Sequence, residues 1–412
     1  MTGFSTYAVH GSRSQQQDLH GALRPPLYDS VAFEHESAED IHQVFTGRKP
    51  AHAYSRITNP TVEEFENRIK LLSNSTGVIA VSSGMAAIAN ILLAIAGSGT
   101  NVVASRNLFG NTLSLIEKTL KPWGLEARYV SMAEPQEVLA AIDENTRAVF
   151  LETVTNPQLE VADISAIADI TSAKGVPLIV DNTVTTPYLF RSRDFGVNIE
   201  VLSSTKYISG GATSVGGLII DNGNFDWRQC PRLQDWAAKM GPMALLGALR
   251  REVYRNLGSC LAPHHAYLQS LGLETMGLRI EKSCANALSV ARFLQEHEKV
   301  TAVNYPGLEN SRYHDVAANQ FGNRFGGILT FDLQSRNACF ALINRLQLIR
   351  RASNVNDNKT LVLHPASTIF CEYPENRQRE MKIRQTMIRL SVGIEDVSDI
   401  IHDLEGGLHH YD

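Results

Sequence analysis

The sequence predicts an α/β protein built on a mostly parallel, doubly wound, seven-stranded sheet, with a smaller α+β domain at its C-terminal end. Three observations predict it. Between Thr61 and about Ile220, short β-branched apolar runs alternate with amphipathic stretches of helical period, the pattern of strands pairing in parallel across intervening helices. Beyond Val300 that alternation gives way to isolated strand-like runs among helices. At 412 residues the chain is long enough to give each of two domains its own core.

Taken in order, residues 1–60 have weak periodicity and several turn formers, Pro25-Pro26 and Asn59-Pro60 among them. They read as an arm packed on another surface, such as a neighbouring subunit. A first domain spans residues 61–257. Its candidate strands are Val78–Ser82, Asn101–Ser105, Ala127–Val130, Ala148–Glu152, Pro177–Asp181, Glu200–Ser203 and Val215–Ile220. Helical patterns fill most of the gaps, at Met85–Ala96, Asn111–Lys121, Pro135–Ile142 and Asp163–Ala173. The second domain spans residues 258–412. Long helices run from about Leu245 to Val300, with Gly272 and Gly277 predicting a break. Strands follow at Gly327–Phe331 and Ile388–Val392, and helices at Ala338–Leu346 and Ser398–Leu408.

Composition removes several function classes. The net charge of −5 is spread among interspersed acidic and basic residues, which predicts neither a nucleic-acid nor an anionic-membrane surface. The five cysteines show no Cys-x-x-Cys spacing, and none of the 13 histidines forms a metal-spaced cluster, so neither a disulfide framework nor a metal site is expected. The polar stretch Met1 to Gln17 has no apolar signal core, and the run Ala86 to Ala96 is too short to span a bilayer. A cytoplasmic protein is the expectation.

The chemistry concentrates at strand ends. Val180-Asp181-Asn182-Thr183 and Leu202-Ser203-Ser204-Thr205-Lys206-Tyr207 each close a β-branched run, where open α/β sheets build their sites. One end carries a carboxylate, the other a lysine among hydroxyls. Singly, a lysine after a strand is usually a solvated surface residue and an aspartate there a cap. Together they match what pyridoxal phosphate requires: an amine for the Schiff base, a carboxylate for the pyridine nitrogen, and hydroxyls for the phosphate. Gly84 in Ser82-Ser83-Gly84-Met85 stands where a strand meets a helix, whose free N–H groups attract phosphate. On that motif alone a plain tight turn is the better account, and a phosphate-bearing cofactor in the same sheet reverses the balance. Asn156-Pro157 is a common turn signal that also places an amide at a strand end. Arg389 interrupts the apolar run Ile388–Val392, which is costly unless it is paired. An α-carboxylate and a structural salt bridge satisfy it equally well. Tyr54 and Arg56 lie in a loop and need no function. His364 reads as a satisfied core or turn histidine.

These blocks jointly resemble the Cys/Met-metabolism family of pyridoxal-phosphate enzymes, of fold type I. The resemblance runs from about Gly21 to Leu408 through Tyr54-x-Arg56-x-x-Asn59-Pro60-Thr61, Ser83-Gly84-Met85, Val180-Asp181-Asn182-Thr183, Ser203-x-Thr205-Lys206-Tyr207, His364-Pro365-Ala366-Ser367 and Arg389-Leu390-Ser391-Val392-Gly393. It implies that Lys206 is the Schiff-base lysine, that Asp181 partners the pyridinium, and that Gly84, Met85, Ser203 and Thr205 hold the phosphate. Phe109 would stack on the cofactor, Asn156 would meet the ring hydroxyl or the substrate, and Arg389, Ser353 and Asn354 would meet the substrate. Tyr54 and Arg56 would reach the phosphate in a neighbouring subunit, with Tyr54 also serving in proton transfer. That makes the active unit at least a dimer, and a homotetramer arranged as a dimer of dimers is expected.

Two departures stand out. Gly210-Gly211-Ala212 follows Lys206-Tyr207 where the family usually has Gly-His, and Phe109 stands where a tyrosine normally stacks. A phenylalanine face still stacks but has no hydroxyl with which to protonate a leaving group. A thiolate, whose thiol has a pKa near ~8.5, needs such an acid far more than a carboxylate does. With Ala352–Leu361 resembling the sulfhydrylase branch, the expected activity is γ-replacement of O-acetylhomoserine with sulfide or another thiol donor, giving homocysteine and acetate in methionine biosynthesis. A methionine or cystathionine γ-lyase is the alternative, and a catalytically silent protein of the same fold the third reading.

Overall fold

The computed structural model describes residues 3–11 and 20–409. Of the polar stretch Met1 to Gln17, residues 3–11 are described. The first seven strands are β1 (Gly77–Val81), β2 (Thr100–Ser105), β3 (Leu125–Val130), β4 (Thr146–Glu152), β5 (Leu178–Asp181), β6 (Ile199–Leu202) and β7 (Gly217–Asp221). They form one sheet in the order β1-β7-β6-β5-β4-β2-β3. β7 pairs antiparallel with both β1 and β6, and every other pairing is parallel. All strands but β7 therefore point one way, and their C-terminal ends gather along a single edge.

The β-branched runs read from the sequence are buried on both faces, as parallel strands under helices must be. Alternate residues divide between two cores. Val103, Val149, Leu151, Leu178 and Val180 enter the core shared with the second sheet. Val102, Ala104, Ala148, Phe150 and Ile179 enter the core under the helix Gly84–Ile95. A one-residue slip in any of these strands would exchange the two sets, so packing fixes the register. At the β1 side, Val78, Ala80, Leu218 and Ile220 pack with the helices Pro60–Ser73, Pro263–Glu274 and Met276–Glu296 in a third core.

A second, five-stranded sheet holds β8 (Ala302–Asn304), β9 (Ile328–Asp332), β10 (Arg350–Arg351), β11 (Leu361–Leu363) and β12 (Met387–Ser391), ordered β10-β11-β12-β9-β8. Only β9 and β12 are expected from the sequence. β8, β10 and β11 are two or three residues long, too short to show a period.

Two helical expectations need correction. The break predicted at Gly272 and Gly277 falls instead at Thr275, between helices ending at Glu274 and beginning at Met276, with both glycines inside helices. Gly272 is there for close approach: a Cβ on it would stand 2.2 Å from the Ile208 carbonyl oxygen in the turn that follows Lys206. The stretch Asn111–Lys121 is not one α-helix, since a short α-turn at Gly110–Ser114 widens into a π-helical segment at Leu115–Leu120.

In the arm, residues 20–58 carry little core. The helix Ala38–Phe45 buries none of its residues, and Leu23, Val31 and Phe45 are exposed. No helix among the described residues is long and apolar enough to cross a membrane.

Candidate active site

The converging ends of β1, β4, β5 and β6 wall a cavity of about 340 Å³, lined on its other side by Ser353 and Val355, between β10 and β11, and by Arg389 of β12. Ser83, Gly84, Met85, Phe109, Glu152, Asn156, Asp181, Ser203, Thr205 and Lys206 line it. Of the site residues expected from the sequence, Gly84, Met85, Phe109, Asn156, Asp181, Ser203, Thr205 and Lys206 gather in one place with Arg389 and Ser353.

The anion-binding end is built by a helix start. Ser83 caps the helix Gly84–Ile95, its hydroxyl accepting from the Ala86 N–H at 3.0 Å. The N–H groups of Gly84 and Met85 have no partner inside the helix, as at any helix start. Gly84 is required by contact, because a Cβ on it would lie 2.8 Å from Ser203 Cβ and 3.0 Å from Ser203 Cα. The Ser203 N–H in turn donates to Thr183 Oγ1 at 2.8 Å. The Thr205 hydroxyl is engaged with the Gly216 backbone, accepting from its N–H at 3.0 Å.

At the opposite end, Asp181 Oδ1 accepts from the Thr183 N–H at 2.9 Å, while desolvation by the surrounding protein raises the carboxyl above its usual range. A cationic ring nitrogen placed there would restore its charge. Lys206 projects between the two ends. Burial, reinforced by the Arg389 guanidinium and opposed by the Asp357 carboxylate, lowers its amine to about 8. An amine poised there exchanges protons near neutrality.

Arg389 is 2% exposed and makes only neutral contacts: Asn156 Oδ1 at 3.0 Å and the carbonyls of Ser353 and Asn354, each at 3.1 Å. Its Nε has no partner among the described residues, and burial alone lowers its pKa to about 9. No ion pair among the described residues includes it, which removes the structural salt bridge as its explanation. A buried guanidinium on neutral acceptors is completed by a carboxylate.

Three expected residues are placed otherwise. Tyr54, 40% exposed, and Arg56 lie on the arm away from the cavity. Arg56 packs over the Tyr54 ring at 5.4 Å and donates to the Arg255 carbonyl at 2.8 Å. Within one chain they do not join the site. Asn354 accepts from Lys206 Nζ at 2.6 Å, so its side chain faces the lysine.

Glu152 escaped the sequence reading. It accepts from the Phe109 N–H at 2.5 Å and the Asn156 N–H at 3.3 Å, and burial beside Asp181 raises it to about 8. A carboxylate closing an apolar strand next to that of Asp181 was the available signal. The departure at Gly211 also has a physical account. Its φ is +118°, and a Cβ would lie 2.7 Å from Asn358 Nδ2, so only glycine is unstrained in that turn.

An anion cradle, a desolvated carboxylate, an amine and a stacking face fit pyridoxal phosphate, with Arg389 left over for an amino-acid carboxylate. A family model described as Cys/Met metabolism PLP-dependent enzyme matches residues 5–409. The chain belongs to that family.

Its fold is the fold-type I architecture of these pyridoxal-phosphate enzymes. A solved structure described as a putative O-acetylhomoserine (thiol)-lyase from Campylobacter jejuni, bearing a pyridoxyl-lysine monophosphate, is 32% identical, with a TM-score of 0.95 over 99% of this chain and 100% of that one. An O-acetylhomoserine sulfhydrylase from Wolinella succinogenes is 48% identical, with a TM-score of 0.78 over 86% of this chain and 99% of that one. An L-methionine gamma-lyase from Fusobacterium nucleatum is 36% identical, covering 99% of this chain and 98% of its own length.

For a member of this family, Gly84→Ala is expected to cost about 1–3 kcal/mol of stability by forcing the helix from Ser203. It should also weaken cofactor retention. Denaturant midpoints and cofactor titration check both, and an unchanged pair would mean that the close approach is dispensable.

Proposed function

We propose that the protein catalyses γ-replacement on O-acetylhomoserine, using sulfide or another thiol donor to form homocysteine and acetate, in cytoplasmic methionine biosynthesis. The observation that carries this reading is the cavity lining, which contains no tyrosine, histidine or cysteine among the described residues. Phe109 presents a ring face alone. Lys206, Glu152, Asp181 and Arg389 are the ionisable side chains of the lining. A carboxylate leaving group departs without an acid at its oxygen, whereas a thiolate is served better by a hydroxyl at the stacking position, which Phe109 lacks.

When bound, pyridoxal phosphate supplies an electron sink for carbanions of the amino acid. The protein does the rest. Gly84, Met85, Ser203 and Thr205 hold the phosphate end, Phe109 stacks, and Asp181 keeps the ring nitrogen protonated. Arg389, steered by Asn156 and assisted by Ser353, grips the substrate carboxylate and so orients the Cα–H bond. Lys206 removes that proton and returns it later, which its lowered pKa permits at neutral pH. Tyr54 and Arg56, exposed on the arm, reach the phosphate end of a second copy's cavity, with Tyr54 available there for proton transfer. The active unit is therefore at least a dimer, assembled as a dimer of dimers.

The likeness to a methionine gamma-lyase favours a second reading, elimination to 2-oxobutyrate and ammonia. Cofactor-loaded protein with O-acetylhomoserine, with and without sulfide, separates the two. Sulfide-dependent homocysteine is the expected result. 2-Oxobutyrate in both reactions without homocysteine would replace this reading by the lyase.

A further inference from the structure

We infer that Asp357 is a positioning residue that, through Asn354, holds the Lys206 amine in a docking place apart from the cofactor. The inference rests on the reading of Lys206 as the lysine that bonds the cofactor and then moves substrate protons. Such an amine must be released during turnover and must return to one position each time.

The segment 353–358 supplies that position. Lys206 Nζ donates to Asn354 Oδ1 at 2.6 Å, and Asn354 Nδ2 donates to Asp357 Oδ2 at 3.0 Å. The second bond decides which way the amide faces. With Nδ2 committed to a carboxylate, Oδ1 is turned to the lysine as an acceptor, and the reversed amide would set an N–H against the amine. Asp357 is itself held, Oδ1 accepting from the Lys359 N–H at 3.2 Å, and it is 9% exposed.

The segment is anchored at both ends of its turn. Asn356 has φ +55°, its N–H donates to Ser391 Oγ at 2.7 Å, and its side chain donates to the Thr183 carbonyl at 3.3 Å. Asn358 donates to the Gly210 carbonyl at 2.9 Å, fixing the turn that follows Lys206. One loop thus holds both the lysine's amine and the turn that follows it.

The charged groups around the amine are Arg389 from β12, Asp357 from the loop, and Asp181 and Glu152 at the ends of β5 and β4. Arg389 disfavours the ammonium form and Asp357 favours it. Removing the Asp357 charge should therefore lower the pH at which the amine becomes free to react.

The test uses the full chain, stripped of cofactor and recombined with pyridoxal phosphate at a series of pH values, following the absorbance of the bound cofactor. In Asp357→Asn the midpoint of the rate profile is expected to fall by about one pH unit, and Asp357→Glu should restore it. With substrate, kcat should fall about 10-fold while KM for the amino acid stays within twofold. Asn354→Ala should shift the midpoint in the same direction and serves if Asp357→Asn does not fold. An unshifted midpoint in a variant that still recombines would overturn the inference and leave Asp357 a loop-shaping residue. Because recombination needs no substrate, failure of the sulfhydrylase reading would show separately, as a missing product. Absence of recombination in the unaltered protein would overturn both.

Discussion

Lys206→Ala should lose at least about 10⁴-fold in turnover, because on the proposed mechanism one substitution removes both the amine that bonds the cofactor and the base that moves the Cα proton. The chain should remain folded. Burial lowers this amine's pKa, so the folded protein holds the charged form at a disadvantage that alanine relieves. Lys206 is the one lysine in the lining among the described residues. No other amine stands ready to substitute for it. Homocysteine and 2-oxobutyrate should both fall to background, with circular dichroism and melting temperature unchanged. Turnover within tenfold of the parent would reassign the base.

Asp181→Asn should lose on the order of 10²–10³-fold in kcat through electrostatics alone. Asparagine keeps the size of the side chain, and its carbonyl can still accept from the Thr183 N–H that Asp181 Oδ1 now binds. What it lacks is the negative charge. The protein around Asp181 raises its carboxyl, so this position is unfavourable for an anion until a cation faces it. Asparagine cannot stabilise that cation, and the electron sink weakens accordingly. Comparing kcat with cofactor affinity checks this, since loss of affinity alone, with kcat retained at saturating cofactor, would make Asp181 only a binding group.

Strand ends were the legible part of this protein. Asp181 and Lys206 stand out because each follows an apolar run that only a buried strand explains, and their placement follows from six strands sharing one direction. Arg389 was legible as an anomaly, and the structure shows it on neutral partners, with no carboxylate paired to it among the described residues. Contacts between segments distant in sequence were not legible. Gly272 signals a break by composition, yet it serves a helix crossing the turn after Lys206. Asn354 carries no local sign that its amide faces a lysine 148 positions away. Short strands such as β10 and β11 exist because a neighbour offers an edge, β12 to β11 and β11 to β10, not because their own few residues encode a period.

The loop 353–358 has a consequence for how such a scaffold can diversify. Its carbonyls at Ser353 and Asn354 hold Arg389, its Asn354 amide holds Lys206, and its Asn358 holds the turn behind that lysine. On the roles proposed for Arg389 and Lys206, grip on the substrate's carboxylate and handling of its protons share a single short stretch of backbone. A substitution that reshapes the stretch to admit a different amino acid also resets the timing of proton return. Changes of substrate and changes of reaction outcome become linked traits here, acquired or lost together.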